Sequence, residues 1–313
     1  EIGFPQLRLT FNGAPLDGAV MFRRDGARPS LRATLAGDTL DLSPFLPPPG
    51  APRGRWPLDS ADLDALKSAD IDLRLSASAV QVDTIRLGDV AVSLLTSPEK
   101  IELALSRATL NGGVVKGRAA LASTPAGSDL KLQASIAQLD LGNLLASLGQ
   151  PRSVTGIAQG QAALEASGAE PEDWLRSLSG RAAILVRTGE VSGLSLAEGL
   201  RQSDERPGGL TAWRGGRTAF QQAQLSLSLS GGIAEVQDGT LDGTSLHTSL
   251  HGQVSLPEGK VALRARTVPP LDSARESPGF VLDVDGRWDS PRIVPSVAAF
   301  IQSAAPMLSP ESR

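Results

Sequence analysis

Two histidines, one serine and a few paired carboxylates are the residues of this chain whose types and spacing could do chemistry. His247 and His251 lie four apart, so on a strand they share a face with Ser249 and Gln253, opposite Leu246, Leu250 and Val254. Two imidazoles could begin a metal site, but no further ligand accompanies them. They read as polar side chains on the solvated face of a strand. Ser195 sits in Gly193-Leu194-Ser195-Leu196-Ala197. That stretch approaches the Gly-x-Ser-x-Gly turn that presents a nucleophilic serine, but its last position is Ala and no alternation of strands and helices surrounds it. Asp70/Asp72 and Asp283/Asp285 are spaced i, i+2 and line the polar faces of strands, where charge discourages edge-to-edge association. Glycosidase chemistry would need such carboxylates to face each other across a cleft. The chain reads as non-enzymatic, with no cofactor and no metal.

Composition narrows the field further. Of 313 residues, 41% are hydrophobic, enough to build a core, yet only 4% are aromatic and none is Tyr. Burial must therefore come from many small Leu, Ala and Val contacts and not from a few large rings. The net charge is −4 and no run of Lys or Arg occurs, which excludes the basic stripe of a nucleic-acid binder. With no cysteine there is no disulfide framework, thiolate nucleophile or Cys-based zinc site.

The elements that would position these residues are strands. Apolar residues alternate with polar ones at Ile71, Leu73, Leu75 and Ala77, at Val90, Val92 and Leu94, and at Ile101, Leu103 and Leu105. The pattern returns at Leu130, Leu132, Ala134 and Ile136, at Leu225, Leu227 and Leu229, at Val261, Leu263 and Ala265, and at Phe280, Leu282 and Val284. Trp288 falls in phase with the last run. Period-two alternation marks strands with one apolar and one polar face, and clean alternation favours antiparallel pairing. Asn111-Gly112, Asp238-Gly239, Asp242-Gly243 and Pro257-Glu258-Gly259 supply turn signals between runs. The expected fold is mainly β: a long curved antiparallel meander sheet, forming an open groove or a partly closed sandwich, with a few short helices.

Those helices are expected over 141–148 after the N-cap Asp140, over 171–178, over 195–202 and over 295–308. The last is amphipathic, with Val297, Phe300, Ile301 and Leu308 on one face, and reads as a helix capping the sheet. Its apolar stretch is too short to span a bilayer. Leu58 to Lys67 reads as a short helical turn, Pro47 to Pro52 as a linker, and Arg201 to Gly216 as a mobile loop. Glu1 to Pro5 lacks the basic and apolar regions of a signal peptide, and the alternation is already under way at Leu7, Leu9 and Phe11. The expectation is a piece of a longer protein with its targeting segment upstream. A weak repeat joins Thr109-Leu110-Asn111-Gly112 and Gly117-Arg118 to Thr240-Leu241-Asp242-Gly243 and Gly252-Gln253, and Gly180-Arg181 and Gly286-Arg287 echo its second part.

Several of these pieces, in this order, resemble the AsmA family. They are Leu63 to Leu73 with its Ala69-Asp70-Ile71-Asp72-Leu73 strand, Ile85 to Val90, Asn111 to Gly117, Leu139 to Leu145, Leu178-Ser179-Gly180, Gly189 to Leu194, and Gly286 to Pro291. The resemblance covers about Ser60 to Pro295. It implies residues 1–57 as the end of a preceding sheet segment with a Pro-rich linker. Residues 58–313 would then be an AsmA-like β-sheet domain of two related halves, about 58–165 and 166–313, with 1–57 either separate or continuous with it. It further implies a protein on the periplasmic side of a bacterial inner membrane, anchored by an N-terminal helix outside this sequence, that binds or conducts phospholipid acyl chains and serves outer-membrane assembly and lipid homeostasis with envelope partner proteins. The family carries no catalytic motif to transfer.

A long sheet with one apolar face must cover it, and four short helices are few for that task. If the face stays partly open, the expected lining is Ile71, Leu73, Leu75, Ile101, Leu103, Leu105, Leu225, Leu227, Leu229, Leu282, Val284 and Trp288. The competing expectation is a scaffold whose sheet edge pairs with partner β-proteins and carries no lipid.

Overall fold

A computed structural model describes residues 1–24, 26, 28–45, 67–125, 127–205, 213–270 and 279–296. The expected capping-helix residues Val297, Phe300, Ile301 and Leu308, the Pro-rich stretch and most of 58–67 lie outside them.

Sixteen strands pair in sequence order, each beside its chain neighbour, and the first and last are not neighbours. They are β1 (Ile2–Phe11), β2 (Ala14–Arg23), β3 (Ser30–Asp41), β4 (Asp70–Val82), β5 (Ile85–Thr96), β6 (Lys100–Leu110), β7 (Gly113–Thr124), β8 (Gly127–Asp140), β9 (Val154–Gly168), β10 (Ser179–Leu194), β11 (Arg214–Ser230), β12 (Ile233–Asp242), β13 (His247–Ser255), β14 (Lys260–Val268), β15 (Phe280–Arg287) and β16 (Ser290–Pro295). The described residues hold three α-helices: α1 (Leu141–Ser147), α2 (Pro171–Ser177) and α3 (Leu196–Glu205). The mainly β meander read from the alternation is therefore the fold.

Local chemistry explains the element ends. Asn111-Gly112 takes φ values of +46° and +80°, the left-handed pair that a two-residue hairpin turn requires. The Asp140 carboxylate accepts from Asn143 N at 2.9 Å and caps α1. In α2, Pro171 occupies the first turn, where its missing N–H costs nothing, and Glu170 and Asp173 form a reciprocal capping box.

Three features differ from the sequence reading. β3 and β4 are parallel, Leu31 beside Ile71 and Leu35 beside Leu75. A parallel pair needs a long connection, which the chain from Leu42 to Ala69 supplies; it leaves the parity of apolar residues untouched, so alternation alone does not reveal it. Asp238-Gly239 is not a turn. It lies inside β12, where the register with β13 slips by one residue, so the motif marks a β-bulge. Arg201 to Gly216 is not all loop either, since α3 runs on to Glu205 and β11 begins at Arg214.

The chain divides into two compact units: Glu1–Pro151 with Ala158–Ala182 and Leu229–Gly232, and Arg152–Ile157 with Ala183–Ser228 and Ile233–Arg313. In the first unit, Leu16, Leu40, Ala77, Val80, Val90 and Ala108 form a buried cluster, with Leu35, Leu75 and Leu105 packed against it. In the second, α3 lays Leu196 and Leu200 over Trp213, Leu246, Phe280 and Leu282. Gly199 permits this approach, because a Cβ there would stand 2.9 Å from the Phe280 ring.

A buried hydroxyl anchors the return of the chain into β4. Thr96 Oγ1 accepts from Ile71 N at 2.9 Å and donates to Ala69 O at 2.7 Å. Thr96→Val would strand both backbone groups, and we expect a loss of about 1–3 kcal/mol in urea unfolding. Gly252, one of the repeated early glycines, has φ +129°, and a Cβ there would meet Ala262 O at 2.2 Å. Gly252→Ala should cost on the order of 2 kcal/mol or more, read in the same titration.

Candidate functional site

Residues directly opposite one another in neighbouring strands share a face. Through β1–β8, all in the first unit, these pairings chain aliphatic residues into rows across the sheet. Phe4 faces Val20, Val20 faces Ala33, and Ala33 faces Leu73. Leu73 faces Leu94, Leu94 faces Leu103, Leu103 faces Ala119, and Ala119 faces Leu132. One row to one side, Leu31 faces Ile71, whose N–H donates to Thr96 Oγ1, and Thr96, Ile101, Leu121 and Leu130 follow in the same way. On the other side run Leu35, Leu75, Val92 and Leu105. The register thus brings Ile71, Leu73, Leu75, Ile101, Leu103 and Leu105 together on one apolar face, as the alternation implied.

Exposure grades across these rows. Ile101 and Leu121 are buried, and so are Leu16, Ala77 and Val90 at the opposite margin. The middle row is open in part: Phe4 is 49% and Leu103 46% exposed, Val20, Leu73, Leu94, Ala119 and Leu132 are half-buried, and Ala33 is buried at 4%. Eight strands at about 4.8 Å spacing give this row a length of roughly 34 Å. Phe4, Val20, Leu94 and Leu132 belong to it, but only inter-strand register, which a single sequence does not state, assigns them there.

In the second unit the apolar face is partly closed by the chain itself. Leu282, 2% exposed, lies under α3 and is shut off from any cargo. Val284 is half-buried between Leu263 and Ile293. Trp288, in phase with them, has left the strand; it sits in the turn between β15 and β16, 41% exposed, with its backbone N–H donated to Gly259 O at 3.1 Å. It does not line the β15 face. Of the β11 leucines, Leu225 and Leu227, in this unit, are half-buried, and Leu229, which belongs to the first unit, is buried. Trp213, placed in a loop by the sequence reading, is 3% exposed, with Arg214 over its ring at 5.0 Å.

The polar residues that could do chemistry are engaged in holding the sheet. His247 Nδ1 lies 2.6 Å from Asp242 Oδ1. His251 faces Arg264, whose Nε donates to Asp283 at 2.7 Å. That hydrogen bond holds the Asp283 carboxyl below its ordinary range. Arg292 pairs with Asp285 at 3.3 Å, Arg28 with Asp70 at 3.1 Å, and Asp72 stands between Arg32 and Arg74. The paired carboxylates are thus members of ion pairs. Ser195 opens α3, its N–H on Trp213 O and its C=O accepting from Gly199 N. No group of three or more metal-ligating side chains occurs among the described residues.

Hollows of about 580, 650 and 400 Å³ open on the first unit, lined largely by polar-face residues such as Asp17, Asp38, Ser76, Asp89 and Arg74. The apolar row is a partly open surface, interrupted at the buried Ala33. No helix among the described residues is long and apolar enough to cross a membrane. A search of curated proteins and a search of solved structures each return no match. A family model does match, over residues 8–239; it begins within β1 and takes in the pieces of the resemblance from Leu63 to Leu194, but not Gly286 to Pro291. That span is more than half of the 313 residues, and the chain belongs to the AsmA family.

Proposed function

We propose that this chain holds phospholipid acyl chains on the apolar face of β1–β8, as a non-enzymatic envelope module on the periplasmic side of the inner membrane that serves outer-membrane assembly and lipid homeostasis. The observation that carries the reading is the aliphatic row from Phe4 to Leu132, in unbroken cross-strand succession and open at Leu103. Membership of the AsmA family supports it.

The energetics are simple. Exposing an acyl chain of about sixteen carbons to water costs on the order of 12 kcal/mol at about 0.8 kcal/mol per CH₂. An aliphatic surface with one side of the chain against it offsets part of that cost, and the half-exposed leucines are themselves dried by the contact. Nothing in the row donates or accepts hydrogen bonds through its side chains, so the surface takes hydrocarbon as a class and not one headgroup.

Native mass spectrometry of the purified chain after incubation with mixed phospholipid vesicles tests this. We expect phospholipid adducts on the wild type. Leu103→Asp should lower their occupancy several-fold, because a carboxylate would have to be dehydrated beneath the tail. Leu103 is already half in water, so its melting temperature should move by only a few degrees. Leu95→Asp is the control, since Leu95 is exposed and faces Asp72 and Glu102 on the opposite side of the sheet. A clean lipid-free mass for the wild type, or equal occupancy in Leu103→Asp and Leu95→Asp, would leave the scaffold reading in its place.

A further inference from the structure

The polar face of the first unit carries cations that its own carboxylates do not answer. On β6, Leu105 and Ala108 both join the buried cluster, while Ser106 and Arg107 between them are exposed. The register explains how. Leu105 faces Gly117 and Ala108 faces Val115, so two residues of β6 stand against the single Lys116 of β7. This is a β-bulge, and it turns Arg107 onto the polar side; unbroken alternation from Leu103 and Leu105 would have set it among the leucines. Lys116 and Arg118 point the same way, since Val115 faces Ala108 and Ala119 faces Leu103 on the apolar side. Both are exposed.

Three cations thus meet on two neighbouring strands. Arg107 faces Ala91, Lys116 faces Ser135, and Arg118 lies between Ala104 and Gln133. None of the facing residues is an acid. Among the described residues none of the three has an ion-pair partner, whereas Arg8, Arg32, Arg74 and Lys131 on the same face each have one. Glu102, one row along, takes its hydrogen bond from Lys100 and meets Arg118 only through space. Asp89 shares a hollow with Ala91, Asp17 and Asp38. Like charges facing each other across strands destabilise a sheet. The chain as a whole is acidic, with a net charge of −4, so composition does not account for the cluster.

We propose that Arg107, Lys116 and Arg118 dock an extended acidic segment of a partner protein, laid along β7 on the side of the sheet away from the apolar rows. Lys116 and Arg118 are two residues apart on one strand, about 6.8 Å. Carboxylates at alternate positions of an extended peptide repeat at the same interval, so one ladder of charges matches the other, and Arg107 adds a contact beside Lys116. The surroundings set the scale. Glu102 and Asp89 border the cluster, and a broad anionic plane such as a bilayer would meet them along with the cations. A single peptide strand fits between them. A small free anion would find no concave cradle here, because all three cations stand exposed on an open face. This docking is independent of the lipid reading, which concerns the other face.

Fluorescence anisotropy on the whole chain at low ionic strength tests the proposal. The probe is a labelled peptide with glutamate at three alternate positions and serine between them. We expect saturable binding that weakens as salt is added. Lys116→Glu and Arg118→Glu should each weaken it roughly tenfold or more, and the neutral Lys116→Gln roughly threefold. Lys260→Glu makes the same change of net charge in the second unit and should leave the affinity as it is. A peptide with its three glutamates set three positions apart should bind several-fold more weakly, since its charges fall out of step with Lys116 and Arg118. No binding of the alternating peptide, equal weakening by Lys260→Glu, or equal affinity for the two peptides would overturn the proposal. So would phosphatidylglycerol vesicles that bind only while Lys116 is present, with the peptide ignored, because the occupant would then be a membrane.

Discussion

Cross-strand register is the constraint on which this structure rests. Backbone pairing decides which side chains share a face, and a slip of one residue would carry a whole strand's aliphatic set to the other side. From β2 to β8 the pairings that build the apolar rows run without interruption, Val20 through Leu132. The slips lie at the margins: between Phe4 and Leu7 on β1, between Gly88 and Val92 on β5, and between Leu105 and Ala108 on β6, the last two close to the buried cluster around Ala108. Bulges there bend and twist the ladder where other side chains seal it. The rows themselves keep their parity.

The two faces are stabilised by different means. On the polar side, charges pair across strands, as in Arg8–Asp17, Lys131–Glu165 and Arg264–Asp283. Such exposed pairs contribute little to stability each, but they occupy the backbone's flanks with charge. The depressed Asp283 carboxyl contributes stability that is present above its ordinary value near 3.8 and is lost as pH falls through the lower folded value. On the apolar side, burial sets in wherever a second layer exists, under α3 in the second unit and in the Leu16–Leu40–Val90 cluster in the first. Where no second layer is described, side chains such as Phe4 and Leu103 remain half in water.

Much of this was legible in the sequence, for a physical reason. Alternation reports parity directly, and parity alone collects Ile71, Leu73, Leu75, Ile101, Leu103 and Leu105 onto one face. Asn-Gly pairs report left-handed backbone, so the turn at Asn111-Gly112 could be read. Asp238-Gly239 misled because neither residue takes a left-handed φ; the glycine sits inside β12 beside the register slip, where a Cβ would stand 2.8 Å from Leu250 O. The parallel β3–β4 pair was silent, since a parallel neighbour preserves the alternation. Leu282 and Trp288 carry the correct phase but the wrong surroundings: one is covered by α3, and the other lies past the strand end in a turn. Membership of the open row was out of reach for Phe4 and Leu94, because it depends on which strand lies beside which and at what offset.

The row's plainness is itself informative about mechanism. Successive rows along a strand lie roughly 6.8 Å apart, and the row through Leu75, Val92 and Leu105 beside it is half-buried like Leu73 and Leu94, so on the proposed function the surface is wide enough for one or two hydrocarbon chains. Its side chains are aliphatic or Phe from end to end, without a hydroxyl, amide or charge to fix a headgroup. Under the proposed function, a tail moving along it would exchange one methyl contact for another of nearly equal energy, each worth only about 0.1–0.2 kcal/mol per atom pair. Wells that shallow favour movement over retention. Interruptions such as Thr96, in the neighbouring row, direct their hydroxyl to backbone partners and not to the surface, so they leave that flatness undisturbed. A site built for tight, specific capture would instead need convergent polar groups in a concave pocket, and along this face the sequence has put Leu, Val and Ala where those groups would have to be.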